Sequence, residues 1–239
     1  RLEWSFDLEG EDENAVIHLK SRRRGSPLDL AVGELMIFAN MVWGGWLEEV
    51  NVAGIYRSQS MGRVKMSTTP GPHDGMGVPQ YAWCTSPLRR YVDLVNQRQL
   101  ISAVLDQAPS YRPSDTDLFT IVSNFTLTYG AYNDFQRKME RYWSLRWIEQ
   151  EGLKTIEAVV VKGELIRIEG LPFTQRMPGM PELPRGQKIL LEILGVDYVD
   201  VLLDAKLKEV LDETDEAALE EEPLEETSAQ DATPEQDES

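Results

Sequence analysis

Thr69 to Leu100 reads TPGPHDGMGVPQYAWCTSPLRRYVDLVNQRQL, and the fold is decided in this stretch. A loop rich in proline and glycine leads into an aromatic segment, Tyr81-Ala82-Trp83. Ser86-Pro87 then has the form of a helix start, because serine accepts from the free N–H groups and proline already holds the helical φ. Arg89 and Arg90 fall in the first turn of that expected helix. Tyr91, Leu94, Val95, Ile101, Val104 and Leu105 follow, which predicts a helix buried on that side and ending before Pro109. An arginine beside free backbone N–H groups at the positive end of a helix makes an anion site, and phosphate is a natural occupant. A carboxylate pairing with either arginine would account for the same residues without any ligand.

Working outward, the same start recurs at Ser26-Pro27-Leu28-Asp29. Leu28, Ala31, Val32, Leu35, Ala39, Val42 and Trp46 then have the spacing of one buried helix face. Before it, Trp4–Leu8 and Ala15–Lys20 read as two strands joined by an acidic turn. Downstream, Ser114–Asp117 opens a third helix, with Asp115 and Asp117 as helix-start residues and an apolar and aromatic face from Leu118 to Ile148. At 1.5 Å per residue it runs ~50 Å, with Gly130 a place for a kink. Past Gly152, Thr155–Lys162, Glu164–Glu169, Pro172–Met177, Gln187–Leu194 and Tyr198–Leu203 read as short strands. That pattern suits a five-stranded OB-type barrel, in which only Phe173 and Tyr198 are evident base-stacking aromatics, so a barrel that serves structure alone accounts for the same pattern.

Composition sets the outer bounds. No uninterrupted apolar run reaches the ~18 residues of a membrane span, so no membrane partner is expected. The single cysteine, Cys84, cannot form an internal disulfide, which suits a cytoplasmic location. As a nucleophile it would have only His18 and His73 as imidazole bases. Net charge is −17, but thirteen Asp/Glu and no Lys/Arg lie in Asp212–Ser239, so residues 1–211 carry −4. That body holds basic clusters at Arg22-Arg23-Arg24, Arg89-Arg90 and Arg137-Lys138 with Arg141 and Arg146, the kind of arrangement that can hold a phosphodiester strand. The C-terminal stretch has nothing to form a core and reads as a disordered acidic tail.

The PGPH loop followed by YAWCTSPLRRYVDLVNQR resembles the signature of the RNB catalytic domain of ribonucleases II and R. SPLDLAVGELMIFAN, from Ser26, resembles that domain's earlier helix, and AGIYRSQ, from Ala53, the strand after it. The resemblance implies an α+β fold: residues 1–150 as the mainly helical C-terminal part of an RNB catalytic domain, 151–211 as the OB-type barrel and 212–239 as the tail. It implies a 3′→5′ exoribonuclease that hydrolyses single-stranded RNA to nucleoside 5′-monophosphates with Mg²⁺ held by an aspartate cluster. Carried over residue by residue, it gives Arg89 the catalytic position and Glu34 a contact to the terminal ribose. Phe6 takes the place of a base-stacking aromatic and Glu140 that of a glutamate facing the RNA channel, with Arg90 beside them as an RNA-binding residue.

The sequence departs from that pattern in two ways. The family's aspartates lie before anything in this chain, so the Mg²⁺ ligands are expected in an N-terminal half supplied by the same gene product or by another chain. The segment between AGIYRSQ and PGPH is also short. The rival reading is a catalytically inert RNA-binding or scaffold protein of the same fold. A generic acidic interaction protein would leave the PGPH and SPLRRY motifs unexplained.

Overall fold

Ser26 caps the first helix in the manner its sequence requires. Its hydroxyl accepts from the Asp29 N–H at 3.2 Å while the Asp29 carboxylate accepts from the Ser26 N–H at 3.3 Å, a reciprocal capping box. Helix α1 then runs Pro27–Glu49. The structure is a computed structural model that describes residues 2–10, 15–23 and 25–215, and the chain divides into two compact units.

The first unit holds residues 25–132. It contains α1, the hairpin of β3 (Tyr56–Ser60) and β4 (Arg63–Ser67), helix α2 (Tyr91–Val104) and the first half of α3 (Thr116–Gln150). Its motif loop is irregular, apart from a short 3-10 turn at Asp74–Met76. The second unit holds residues 2–23 and 133 onward. There β1 (Leu2–Glu9) pairs antiparallel with β2 (Val16–Arg23), as the two predicted strands require. The remaining strands, β5 (Thr155–Lys162), β6 (Leu165–Ile168), β7 (Thr174–Arg176), β8 (Gln187–Asp197) and β9 (Leu202–Thr214), form one antiparallel sheet in the order β7-β6-β5-β8-β9.

That sheet is open by backbone pairing, with β7 and β9 at its edges. The Gln175 side chain spans the gap between them. The buried amide of Gln175 on β7 donates to the Leu203 carbonyl at 2.8 Å and accepts from the Leu203 N–H at 3.0 Å on β9. Inside the curl lie Ile156, Ala158, Val160, Ile166, Ile168, Phe173, Ile189, Leu191 and Leu203, packed on Leu145 and Ile148 from the end of α3.

Several expectations need correction. The helix expected from Ser86-Pro87 begins only at Tyr91, with Arg90 as its cap position, because Pro87–Arg89 form a turn held by N–H bonds from Arg89 and Arg90 to the Ser86 carbonyl. The buried sides of α1 and α2 are not those the apolar spacing chose. On α2, Tyr91, Ile101, Val104 and Leu105 are exposed, while Val92, Asp93, Val95, Asn96, Gln99, Leu100 and Ser102 are buried. On α1, Leu28, Val32, Leu35 and Val42 are exposed, and Asn40, Gly44 and Leu47 face inward. Small and amide-bearing residues win these positions because the partners are irregular backbone, which needs hydrogen bonds and close approach. A Cβ on Gly44 would sit 3.1 Å from the Ala82 Cβ and 3.2 Å from the Ala82 nitrogen.

Helix α1 is also long and apolar enough, by length and composition, to cross a membrane, a feature that a search for an unbroken apolar run misses. The same composition marks a helix packed in a protein core. Helix α3 is continuous through Gly130. The last predicted strand starts later and runs further, so Asp212, Glu213 and Thr214 belong to β9 rather than to a tail, and Asp215 pairs with Arg167 at 2.9 Å. Residues 216–239, the rest of the expected tail, lie outside the described residues, as does Arg24.

Candidate functional site

Helix α2 organises the motif loop through polar side chains that a purely apolar pattern would miss. Asn96 acts as a surrogate strand: its side-chain oxygen accepts from the Ile55 N–H at 2.8 Å, and its amide donates to the carbonyls of Ile55 at 2.8 Å and Trp83 at 2.9 Å. Gln97 donates to the Cys84 carbonyl at 2.7 Å. Gln99 donates to the carbonyls of Ala53 and Tyr111 and accepts from the Tyr111 N–H. From α1, Asn40 accepts from the Cys84 N–H at 2.9 Å and donates to the Tyr81 hydroxyl at 3.1 Å. Asn40, Asn96 and Gln99 are buried, Gln97 is half-buried, and all four are bonded, so the AGIY strand and the YAWC segment have one conformation. The spacing of Asp93, Asn96, Gln97 and Gln99 on one side of VDLVNQRQL was the signal available for it.

The two motif arginines have different fates. The Arg90 guanidinium is buried and bonds Asp93 twice, Nε to one carboxylate oxygen at 2.8 Å and Nη2 to the other at 2.7 Å. Its flat face lies 3.9 Å from the centre of the Trp83 ring, and Asp93 also accepts from the Ser86 N–H at 2.8 Å. Arg90 therefore fixes the turn that presents its neighbour. Arg89 is exposed at the end of that turn and makes no ion pair among the described residues. The carboxylate alternative holds for Arg90 and leaves Arg89 open to an anion.

Trp83 carries a second cation. The Arg57 guanidinium, from the AGIYRSQ strand, lies 4.4 Å from the same ring centre. Trp83 itself is buried and meets Phe125 and Tyr129 of α3 edge-on, at 6.4 and 5.8 Å between centroids. Close by, His73 is 4% exposed, stands edge-on to Tyr81 at 5.7 Å, and among the described residues has no hydrogen-bond partner for either ring nitrogen. Burial first, then the positive charge of Arg57, pushes its imidazole below the usual histidine range, so it stays neutral.

The remaining predicted residues are distributed over both units. Glu34 is exposed on α1, in the first unit with Arg89 and Arg90. Phe6 and Glu140 belong to the second unit. Phe6 is half-buried opposite Leu19 in the hairpin, and Glu140 accepts from the Gln136 amide at 3.0 Å. Phe173 is wholly buried in the sheet's core and has no face for a base, contrary to the sequence reading. Tyr198 is half-buried and donates to the Glu149 carboxylate at 2.5 Å; burial and that bond raise its pKa. Arg141, expected to line a basic cluster, donates to the carbonyls of Thr174 and Val201, and Arg137 pairs with Asp134.

Two chemistries find no footing here. Burial pushes the Cys84 thiol up to about 12, so it offers no thiolate near neutral pH. Among the described residues no group of three or more His, Cys, Asp or Glu is arranged to hold a metal ion. Asp115 and Asp117 instead serve the start of α3, the Asp117 N–H donating to the Asp115 carboxylate. The described residues do not fit a catalytic metal centre.

Residues 58–106 match the RNB domain. The chain is similar, over part of its length, to RNB-family exoribonucleases. Exoribonuclease 2 of Serratia proteamaculans is 48% identical over 61 residues, which are 26% of this chain and 9% of that protein. Exoribonuclease 2 of Erwinia tasmaniensis is 51% identical over 61 residues, again 26% and 9%. Among solved structures, an active-site mutant of the Dss1 exoribonuclease of Candida glabrata shares the fold over 84% of this chain and 31% of its own, with TM-score 0.68 and 21% identity. RNase R of Mycoplasma genitalium in complex with ribose-methylated single-stranded RNA does so over 86% and 45%, with TM-score 0.68 and 13% identity. The chain thus spans less than half of each of these structures, and the sequence match covers about a tenth of the curated relatives.

Proposed function

We propose that this chain is the C-terminal part of a cytoplasmic, Mg²⁺-dependent 3′→5′ exoribonuclease, and that it supplies the RNA-holding and charge-stabilising groups while the metal-binding aspartates come from an N-terminal half. The observation that carries this reading is the turn Ser86–Arg90. A buried Arg90–Asp93 pair holds it rigid, and Arg89 stands at its end without an ion-pair partner among the described residues. A fixed exposed cation of that kind can stabilise charge developing on a phosphoryl oxygen without reorganising first. Glu34, exposed on α1, is the proposed contact to the terminal ribose, whose 2′-OH distinguishes RNA from DNA. Phe6 and Glu140 are proposed as RNA-binding residues of the second unit, and its curled sheet, bridged by Gln175, is read as a barrel of the OB type. Leu28, Leu35 and Phe38, exposed on α1, are proposed to pack against more of the RNB fold.

The test is direct. Incubated with labelled single-stranded RNA and Mg²⁺ or Mn²⁺, the chain alone is expected to bind the strand and to release no mononucleotide. Robust release would mean that it carries its own metal site. Absence of RNA binding even at low salt would remove the functional reading altogether.

A further inference from the structure

We infer that Arg57 is a second phosphate-contacting residue, which grips the backbone of the RNA strand from the face of Trp83. The inference rests on the RNA-binding reading above and adds to it a residue that the SPLRRY motif does not contain. It starts from an imbalance of charge. Two guanidinium groups lie against one indole, at 3.9 and 4.4 Å from its centre. Arg90 is neutralised there by both oxygens of Asp93.

Arg57 is half-buried and has no such partner. Among the described residues it makes no ion pair, and its guanidinium N–H groups meet no protein acceptor. Burial acts most strongly against its charge and Arg90 repels it, while the only groups that favour it are the neutral Tyr129 and Tyr81 hydroxyls, not a carboxylate. Burying a charge without compensation is costly, and such a group persists where a ligand completes it. The missing component is an anion with acceptors for a planar fork of donors, which describes a phosphodiester oxygen pair.

The surroundings make the site a built one. The backbone of Arg57 is tied to the motif loop, its N–H donating to the Tyr81 carbonyl at 2.7 Å. Trp83, which supports the guanidinium, is wedged by Phe125 and Tyr129, themselves stacked at 5.3 Å. A cation laid on an aromatic face keeps its N–H edge pointing outward with little rotamer freedom left, so little ordering remains when a phosphate binds.

The experiment measures the affinity of the full 239-residue chain for a fluorescein-labelled twelve-nucleotide oligoadenylate across a salt series, with Arg57→Gln and Arg57→Lys alongside. Each phosphate contact on a single strand contributes ~0.7 to the slope of log affinity against log salt. Arg57→Gln is expected to lower that slope by ~0.7 and to weaken binding about tenfold at low salt. Arg57→Lys is expected to keep the slope and to recover only part of the affinity, since it retains the charge and loses the fork. An unchanged slope in Arg57→Gln, with the wild type binding, would overturn the inference and leave the functional reading intact. A wild-type chain that binds no RNA would overturn both. Should Arg57→Gln melt early, Arg57→Lys decides alone: affinity equal to wild type would count against the contact, and weaker binding at constant slope for it.

Discussion

With its carboxylate wholly buried, Asp93 accepts two hydrogen bonds from Arg90 and a third from the Ser86 N–H, so one residue ties the helix to the turn before it. A buried ion pair contributes little net stability, because desolvating both ions offsets their attraction, but breaking it leaves an uncompensated charge. Asp93→Asn is therefore expected to cost about 3–5 kcal/mol, read from urea denaturation. Replacing both partners, Asp93→Leu with Arg90→Met, is expected to recover much of that loss, since no orphan charge remains. A single substitution costing less than about 1 kcal/mol would mean that Arg90 finds water or another acceptor, and that the turn is not fixed by this pair. The motif itself was legible at this scale: Arg89 and Arg90 stood out in SPLRRY. Which of the two is locked was not legible, because Asp93 sits three residues on and the sequence does not say that the helix starts only at Tyr91.

Secondary structure was read well where a period or a cap declares it and poorly where burial is decided by irregular backbone. The Ser26 cap, the β1–β2 pair and the strands β5 to β8 fall close to their expected places. The faces of α1 and α2 were misread, since Asn40, Gly44, Asn96 and Gln99 bury themselves to satisfy loop carbonyls and N–H groups that no hydropathy pattern records. The same physics bridges the two edge strands of the second unit's open sheet. Strand β7 is three residues long and has no backbone partner in β9, so the Gln175 amide supplies both a donor and an acceptor to Leu203. Gln175→Ala leaves a buried N–H and a buried C=O without partners, each worth about 1–3 kcal/mol. The expected loss is about 2–4 kcal/mol by chemical denaturation, accompanied by faster amide exchange at Leu203. Stability within about 0.5 kcal/mol of wild type would show that β7 and β9 do not depend on this bridge.

Over the whole molecule, charge is the property that sets what an RNA strand would meet. The chain carries −17, and residues 216–239 hold ten Asp/Glu and no Lys/Arg, while the exposed Arg89 and the half-buried Arg57 are two of the first unit's cations that make no ion pair among the described residues. Removing those 24 residues brings the net charge to −7 and takes away only Leu219 and Leu224 among large apolar side chains. The cut belongs after Asp215, because β9 extends to Thr214 and Asp215 pairs with Arg167. The melting temperature is expected to stay unchanged, and RNA binding at low salt to tighten severalfold, since ten negative charges no longer compete for or repel the strand. The gain should fade as salt rises, because screening beyond ~10 Å sets in near 0.1 M. Dissociation constants of both forms, measured at low and high salt, decide the matter. Equal affinities at low salt would mean that the acidic stretch does not act on RNA, and would direct the search to a basic protein partner for it.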